Sequence, residues 1–423
     1  MSATCSVELP CGQQWLQVRL PGHARHLRTR PAPALADPLA AARAALASPI
    51  GCPPLAELAQ GRRDACLVIS DATRPVPNQV LLPPILETLE AAGLAPGRIT
   101  IMVATGMHPP MDAPALEAML GRAITRRYQV VNHDCRQGNV LVERIEGQAI
   151  EINARFLAAG LKILTGLIEP HTFAGFSGGG KAVLPGLASL ETMRFLHSYD
   201  LVANPRLATG RLEGNPFQEH ITRVVGRLGV DFMVNAVIGQ DRRPTGVFAG
   251  HWLMAHRAGC QACRGQAMVS LERPADLVIT SGGGHPLDHT FFQANKGLLT
   301  ARGLARPGAT VLMVAGCQGG LGEAEFRRIL EENPTPAAFA ARHGQGGRFV
   351  KDQWAAQRFF QAKEHFERLH LYAPGLPAAD FALLGMAPVQ DLQGALDSLC
   401  AQAGQVVAIP QGPYLAGSLG PAY

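Results

Sequence analysis

From Asp64 onward, short apolar runs alternate with segments of helical periodicity. Residues 65–70 and 98–106 are nearly continuous apolar runs of the kind that form buried strands. Residues 79–93 and 113–124 place apolar side chains at helical spacing, and Gly93 ends the first of these segments. Strands that alternate with helices pair in parallel, with the helices covering the sheet faces. The pattern therefore predicts an α/β fold with largely parallel sheets.

The same pattern starts a second time in the last third of the chain. Before it, further strands are predicted at 129–134, 149–156 and 161–168, followed by a helix over 251–269. The second series begins with a strand and Gly-rich turn at 275–284, and further strands are predicted at 298–305, 309–316 and 380–386.

A change of composition near 265–272 marks the predicted domain boundary. We predict an N-terminal cofactor-binding and catalytic α/β domain over 1–265 and a C-terminal α/β domain over 266–423. A helical linker is expected to join them, with the active site in the cleft between them. The tail after about residue 405 is compatible with either sheet, including that of the first domain.

Composition narrows the class of protein. The chain has 423 residues, 47% hydrophobic and 17% charged, which indicates a globular protein with more than one core. Its net charge of +5 is mild and no block of Lys and Arg occurs, so nucleic acid is not an expected partner. No signal peptide and no apolar run of membrane-spanning length is apparent. Nine scattered cysteines favour free thiols and a cytoplasmic location.

Charged groups and imidazoles follow four of the predicted strands. In open α/β sheets, ligands bind at the carboxyl ends of the strands. The segments that leave these strand ends are 70–75, 104–110, 166–181 and 281–297. A ligand site is therefore expected where they meet.

The segment GFSGGGKA at 175–182 resembles a phosphate-binding P-loop. Gly175, Gly180 and Lys181 fit that motif, but Ala182 lacks the hydroxyl that would hold magnesium, so nucleotide hydrolysis is disfavoured. The alternatives are a plain tight turn, or an anion-binding nest formed by the backbone N–H groups of Ser177, Gly178, Gly179 and Gly180. Lys181 is either a charge clamp or a covalent anchor.

Three histidines follow apolar runs. His108 and His171 stand at separate strand ends, and if those strands are neighbours, two imidazoles suit acid–base chemistry on both faces of a substrate. A single histidine is more often structural. His197 lies on a predicted helix and is either a half-buried helix residue or a transition-metal ligand.

Arg74 has the planar fork that binds carboxylates, and Asp71 is expected to orient it. The alternative is a structural ion pair. Gln293 and Lys296 supply an amide and a second cation, unless both are ordinary helix-surface residues. Together these groups suit a small hydroxy or keto acid as the substrate.

Two further motifs carry little weight. Cys260 and Cys263 form an isolated C-x-x-C near His251 and His256, which is a weak sign of metal binding. The segment 316–323 does not satisfy the dinucleotide-binding pattern in register.

The blocks SDATRP, ATGMHP, NHD, EPHTFAGFSGGGKAVLPG, HSYD and FFQANKG together resemble the nickel-dependent lactate racemase family over about positions 64–300. That family racemises or epimerises 2-hydroxy acids. The resemblance implies a nickel-pincer nucleotide, a pyridinium-3-thioamide-5-thiocarboxylate mononucleotide, whose thioamide forms on Lys181.

The resemblance also implies roles for individual residues. His197 is the implied nickel ligand, and His108 and His171 are the implied acid–base pair, one for each enantiomer. The implied groups around the substrate are Arg74, Gln293, Lys296 and Trp354, and Asp71 and the Ser177–Gly180 loop are expected to bind the cofactor. Phe292 stands where lactate-acting members carry tyrosine, which leaves the particular 2-hydroxy acid open.

The sequence thus predicts a cytoplasmic isomerase that inverts C2 by hydride transfer to and from the cofactor. Its predicted partners are a small-molecule 2-hydroxy acid and, transiently, the proteins that make the cofactor, with no membrane partner. Two alternatives stay open. One is a nicotinamide-dependent 2-hydroxyacid dehydrogenase, and the other is a non-catalytic carrier of the nickel cofactor.

Overall fold

The computed structural model of the protein describes residues 4–344, 347 and 349–420, and the protein is a mixed α/β structure, as predicted. The outer ends of both predicted domains, at 1–3 and 421–423, lie outside these residues. The strands are β1 (Thr4–Cys11), β2 (Gln14–Pro21), β3 (Arg25–His26), β4 (Ala65–Ser70), β5 (Ile99–Ala104), β6 (Gln129–Asn132), β7 (Asn139–Ile145), β8 (Gln148–Asn153), β9 (Lys162–Leu167), β10 (Pro170–His171), β11 (Gly175–Phe176), β12 (Phe232–Ile238), β13 (Pro244–Gly250), β14 (Met268–Leu271), β15 (Ala275–Ser281), β16 (Ala305–Val314), β17 (Phe366–Tyr372), β18 (Ala387–Pro388), β19 (Val406–Ile409) and β20 (Ala416–Leu419).

Helices separate most of these strands, and polar side chains cap many of them. Ser189, for example, accepts a hydrogen bond from the backbone N–H of Thr192 at the start of α7. The helices are α1 (Pro38–Ala47), α2 (Leu55–Ala59), α3 (Asn78–Ala91), α4 (Ala113–Leu120), α5 (Arg122–Arg127), α6 (Ala154–Ala158), α7 (Leu190–Leu196), α8 (Tyr199–Ala203), α9 (Pro216–Val225), α10 (Trp252–Ala267), α11 (Phe291–Ala294), α12 (Lys296–Leu304), α13 (Ala324–Glu332), α14 (Pro336–His343), α15 (Gln353–His365), α16 (Ala378–Leu384) and α17 (Leu392–Gln402). None of the helices in the described ranges is long and apolar enough to span a membrane.

The chain forms two compact units, which differ from the predicted division at the start of the chain. The central unit comprises residues 31–197 and 205–266, and the C-terminal unit comprises 4–30, 198–204 and 267–420. Residues 4–30 belong to the C-terminal unit because β3 pairs with β19, and because the β1–β2 hairpin buries its apolar side chains against β15 and β16. The tail after residue 405 also belongs there, since β19 pairs with β15.

The central unit contains a six-stranded sheet in the order β13-β12-β9-β4-β5-β6. Every neighbouring pair is parallel except β12 and β13. Strands β9, β4 and β5 are adjacent, and Ser70 at the end of β4 pairs with Ala104 at the end of β5. The loops that carry His108 and His171 therefore leave β5 and β9 at the same edge of the sheet, although these two strands are not neighbours, because β4 lies between them.

The C-terminal unit contains a second six-stranded sheet, in the order β18-β17-β16-β15-β19-β3, and all of its pairs are parallel. Strand β15 of this sheet ends at Ser281, where the Gly-rich turn begins. Gln293 lies on α11 and Lys296 starts α12, both shortly after that turn.

Two strand predictions in this unit are wrong. Residues 298–304 belong to α12, because Leu298, Ala301 and Leu304 are buried at helical spacing. Most of 380–386 belongs to α16, which ends at Gly385 in the left-handed conformation (φ +64°). The strand at 309–316 is confirmed by β16, and the predicted strand at 149–156 ends at Asn153, whose side chain caps α6.

Candidate active site

Asp71 follows β4 directly and organises the turn that comes after it. Its Oδ1 atom accepts from the backbone N–H of Thr73 at 3.1 Å and from the Thr73 hydroxyl at 2.5 Å. Its Oδ2 atom lies 2.5 Å from Nδ1 of His108. Burial would raise the pKa of the Asp71 carboxyl, but the hydrogen bonds from His108 and Thr73 outweigh it and lower the pKa below its ordinary value. Asp71 is therefore an ionised partner of His108.

Glu169, and not Asp71, orients Arg74. The Arg74 Nη1 atom donates to Oε1 of Glu169 at 2.6 Å, whereas Asp71 bonds only the backbone N–H of Arg74, through its own carbonyl. The expectation that the Asp71 carboxylate orients Arg74 is wrong because His108 and Thr73 occupy that carboxylate. The Arg74 side chain remains 36% exposed, so part of its fork is accessible to a ligand.

His171 lies on β10, which forms a short antiparallel pair with β11. The chain turns back immediately after it, and the backbone N–H groups of Phe173 and Ala174 both donate to Nδ1 of His171, each at 3.2 Å. The turn itself therefore fixes the imidazole. The His171 ring also contacts the Phe173 ring, with 5.9 Å between the centroids.

Contacts within the protein explain the glycines of the loop at 175–180. A Cβ on Gly178 would lie 2.5 Å from Oδ1 of Asn235, and one on Gly179 would lie 2.6 Å from Cγ of His256. Both positions also have positive φ, at +80° and +54°. The loop therefore packs too closely on β12 and α10 for any side chain at these two positions.

The expected anion nest is only partly available. The backbone N–H of Ser177 donates to the Glu169 carbonyl, and that of Gly179 donates to Oδ1 of Asn235 at 2.7 Å. The Ser177 hydroxyl is also committed, because it donates to the Leu167 carbonyl at 2.7 Å. Two of the four amides predicted to bind an anion thus hold the loop together instead.

Lys181 follows this loop and has an unusual amine. Burial is the main cause that lowers its pKa from 10.5 to about 7, and the positive charge of Arg74 lowers it further. The carboxylates of Glu169 and Asp71 act in the opposite direction. A large share of the Lys181 amines is therefore neutral at neutral pH, and a neutral amine is the nucleophilic form.

His197 stands at the C-terminal end of α7 and is 8% exposed. Its Nδ1 atom lies 2.9 Å from the Met193 carbonyl, which can only accept, so Nδ1 carries the proton and Nε2 carries the lone pair. Burial is the main cause that lowers the pKa of His197 from 6.5 to about 4. The rings of Phe173 and Phe217 pack against it at 5.8 and 6.1 Å between centroids. His197 is therefore a neutral, oriented imidazole, as a metal ligand must be.

Three predicted substrate residues lie in the C-terminal unit. Lys296 Nζ donates to Oε1 of Gln293 at 2.6 Å, so these two side chains form a pair. Trp354 is the second residue of α15, and its ring stacks on that of Phe349, with 6.2 Å between the ring centroids. Phe292 packs edge-on against Phe326 at 5.4 Å.

The C-x-x-C pair is buried in α10. Cys260 Sγ lies 3.3 Å from Nε2 of His256, and burial raises the pKa of the Cys263 thiol to about 12. All nine cysteines are free. Within the described residues, no group of three or more His, Cys, Asp or Glu side chains is placed to hold a metal ion.

The supporting roles of three residues could not be predicted from the sequence. Glu169 holds Arg74, Asn235 holds the glycine loop, and His256 lies 2.9 Å from the Ser177 carbonyl. Glu169 immediately precedes the Pro-His pair, which could have marked it. Asn235 stands inside the apolar run of β12, where a buried amide without an evident partner could have marked it as well.

The site combines a neutral amine, two imidazoles and an arginine in the segments that follow the parallel strands β4, β5 and β9, where α/β enzymes bind their ligands. The solved lactate racemase apoprotein of Thermoanaerobacterium thermosaccharolyticum has the same fold, with a TM-score of 0.90 and 29% identity, and the match covers 98% of this chain and 100% of that one. A Thermotoga maritima protein of known structure shares the fold alone, with a TM-score of 0.65 and 18% identity over 91% of this chain and 99% of that one.

The sequence comparisons identify the family. Residues 11–210 match the lactate racemase N-terminal domain, and residues 271–413 match the lactate racemase C-terminal domain. The chain is 34% identical over 318 residues to the lactate racemase of Thermoanaerobacterium thermosaccharolyticum, covering 74% of each chain. It is 33% identical over 380 residues to that of Lactiplantibacillus plantarum, covering 87% of this chain and 88% of the relative. The chain therefore belongs to the lactate racemase family, and it is an isomerase of the racemase type.

Proposed function

We propose that this isomerase inverts the C2 centre of a 2-hydroxy acid with the help of a nickel-pincer nucleotide attached to Lys181. The observation that carries the proposal is the amine of Lys181, whose pKa falls to about 7 in the unit whose sheet sends its chain to His108 after β5 and to His171 after β9. A covalent tether requires a neutral amine, and an ordinary surface lysine supplies very little of it at neutral pH.

The residues present fit such a group. A pincer ligand brings its own donor atoms to nickel, so a single protein ligand is sufficient, and His197 offers a neutral Nε2 lone pair for that purpose. Lys181 would hold the organic part covalently, and the loop of Ser177, Gly178, Gly179 and Gly180 precedes it in the chain. Once bound, the group would supply a hydride acceptor for the hydrogen on C2.

The protein's own residues would handle the carboxylate and the hydroxyl proton. The accessible part of the Arg74 fork would bind the substrate carboxylate while Glu169 keeps the guanidinium in place. His108 would take the hydroxyl proton at Nε2, because its Nδ1 is engaged by Asp71. His171 would serve the hydroxyl of the opposite enantiomer. Gln293, Lys296 and Trp354 are proposed as further substrate contacts.

The direct test is a screen of enantiopure 2-hydroxy acids with protein that was co-expressed with the cofactor-making enzymes. Circular dichroism should show loss of optical activity for at least one acid. The Lys181→Ala variant should be inactive, and the Lys162→Ala variant should keep its activity, because Lys162 donates to the Ala159 carbonyl away from the site. The absence of racemisation of every acid tested, by fully loaded protein, would contradict the proposal.

The same samples separate the two alternatives. Reduction of a nicotinamide cofactor by a 2-hydroxy acid would favour the dehydrogenase. A carrier of the cofactor would be favoured if the protein loads fully with cofactor and the His108→Ala and His171→Ala variants behave like the wild type in every assay.

A further inference from the structure

We propose that the neutral forms of His108 and His171 are held in opposite tautomers, with the proton on Nδ1 in His108 and on Nε2 in His171. The two imidazoles then differ before any substrate binds: Nε2 of His108 can accept a proton, whereas Nε2 of His171 can only donate a hydrogen bond. The consequence for catalysis rests on the proposed function, but the tautomers themselves do not.

The tautomer of His108 follows from its partner. Oδ2 of Asp71 lies 2.5 Å from Nδ1 of His108, and an ionised carboxylate can only accept hydrogen bonds. The two donors of Thr73 occupy the other oxygen, Oδ1, and help to keep the carboxylate ionised and fixed in orientation. Nδ1 must therefore carry the proton, and the lone pair is on Nε2. The side chain of His108 is 56% exposed, so it is accessible to a ligand.

The tautomer of His171 follows from the backbone. The N–H groups of Phe173 and Ala174 each point at Nδ1 from 3.2 Å, and a backbone N–H can only donate. Nδ1 must therefore carry the lone pair, and a neutral ring has its proton on Nε2. Both donors belong to the turn between β10 and β11.

The two arrangements assign different tasks to the two histidines. Removal of a hydroxyl proton by Nε2 of His108 produces an imidazolium whose Nδ1–H still faces the Asp71 carboxylate. Removal by His171 requires the lone pair on Nε2, so its ring must first lose the Nε2 proton to water and gain one on Nδ1. That exchange breaks both contacts with Phe173 and Ala174. Asp71 is thus a positioning residue: it orients His108 for the reaction of the enantiomer whose hydroxyl faces that ring.

Thermodynamics restricts where this asymmetry can be observed. For a substrate with a single stereocentre the equilibrium constant is one, so kcat/KM is the same in both directions. The asymmetry must then appear as different kcat values, compensated by different KM values, for the two enantiomers.

The direct test is nitrogen NMR of the imidazoles in the cofactor-free protein, labelled with ¹⁵N-histidine, at a pH where the rings are neutral. Signals are assigned by their loss in the His108→Ala and His171→Ala variants. We expect the Nδ1–H pattern for His108 and the Nε2–H pattern for His171. In Asp71→Ala, His108 should change to a majority of the Nε2–H form, which free histidine prefers, while His171 stays unchanged. Asp241→Ala, in an exposed loop that contacts neither ring, should change neither.

The same tautomer in both rings of the wild-type protein would overturn the inference, as would a folded Asp71→Ala variant whose His108 signals do not change. If Asp71→Ala does not fold, the wild-type spectrum decides on its own. Opposite tautomers in a protein that racemises nothing would count against the proposed function alone. Identical tautomers in an active racemase would count against this inference alone.

Discussion

Replacement of Lys181 by methionine is expected to stabilise the cofactor-free protein more at acid and neutral pH than at alkaline pH. The amine has a pKa of about 7 in the folded protein, against 10.5 in the unfolded chain, chiefly because it is buried. Between these two values the unfolded chain binds a proton that the folded protein does not bind. The free energy of unfolding of the wild-type protein therefore increases as the pH rises from 7 to 10.5. Below pH 7 the full cost of burying the amine lowers the stability. Methionine has a similar length and no charge, so it removes the penalty.

The size of the effect follows from the two pKa values. Their difference of about 3.5 corresponds to a decrease of about 5 kcal/mol in the free energy of unfolding of the wild type at or below pH 7. At pH 9 the decrease is set by the difference between the pH and the unfolded-state pKa of 10.5, and it amounts to about 2 kcal/mol. Both values are upper limits, since the Lys181 residue is only half-buried and keeps some access to solvent.

Urea unfolding of wild type and Lys181→Met at pH 6 and pH 9 measures this difference. The stabilisation by the substitution should be larger at pH 6, by up to about 3 kcal/mol. Lys351→Met is the control, because the Lys351 ammonium is exposed and lies 3.9 Å from the carboxylates of Glu323 and Asp352. Equal stabilisation at both pH values would refute the idea that Lys181 is held as a neutral amine.

Three further predictions concern the site and the loop. Arg74→Ala should lower kcat/KM of the loaded enzyme by roughly 10- to 100-fold, because it removes a charge-assisted contact worth about 1.5–3 kcal/mol, whereas Arg43→Ala, in an exposed ion pair, should have little effect. Gly178→Ala should destabilise the protein in urea by at least about 1 kcal/mol more than Gly147→Ala. Both glycines have φ near +80°, but only Gly178 would direct its Cβ into other atoms. The pKa of His197 is about 4 in the folded protein, against 6.5 in the unfolded chain. Acidification from pH 6.5 to 4 should therefore lower the free energy of unfolding of the cofactor-free wild type by up to about 3 kcal/mol more than that of His197→Phe. Equal losses in these pairs of proteins would contradict the corresponding prediction.

The sequence was sufficient to predict the features that depend on local patterns. The continuous apolar runs of β4 and β5 gave their positions to within a residue or two. Because parallel strands share one carboxyl edge, the exits to His108 and His171 could be expected to lie at the same edge of the sheet. The adjacency of β9, β4 and β5 itself depends on long-range pairing, which no local pattern encodes.

The remaining features depend on contacts between residues that are far apart in the chain. Glu169 holds Arg74 from 95 positions away, and the Asn235 amide fixes the glycine loop from 56 positions away. Strand β3 has only two residues, too few for a periodic pattern, yet its pairing with β19 assigns the start of the chain to the C-terminal unit. The apolar run at 380–386 is as compatible with a short helix as with a strand, and Gly385 decides in favour of the helix.

The proposed function requires that Lys181 carries the cofactor. Peptide mapping by mass spectrometry, after co-expression with the cofactor-making enzymes, tests it most directly when nickel is measured in the same sample. We expect one adduct per chain, located on Lys181, with nickel in equal amount, and loss of nickel but not of the adduct in His197→Ala. An unmodified Lys181 in protein that racemises a 2-hydroxy acid would contradict it.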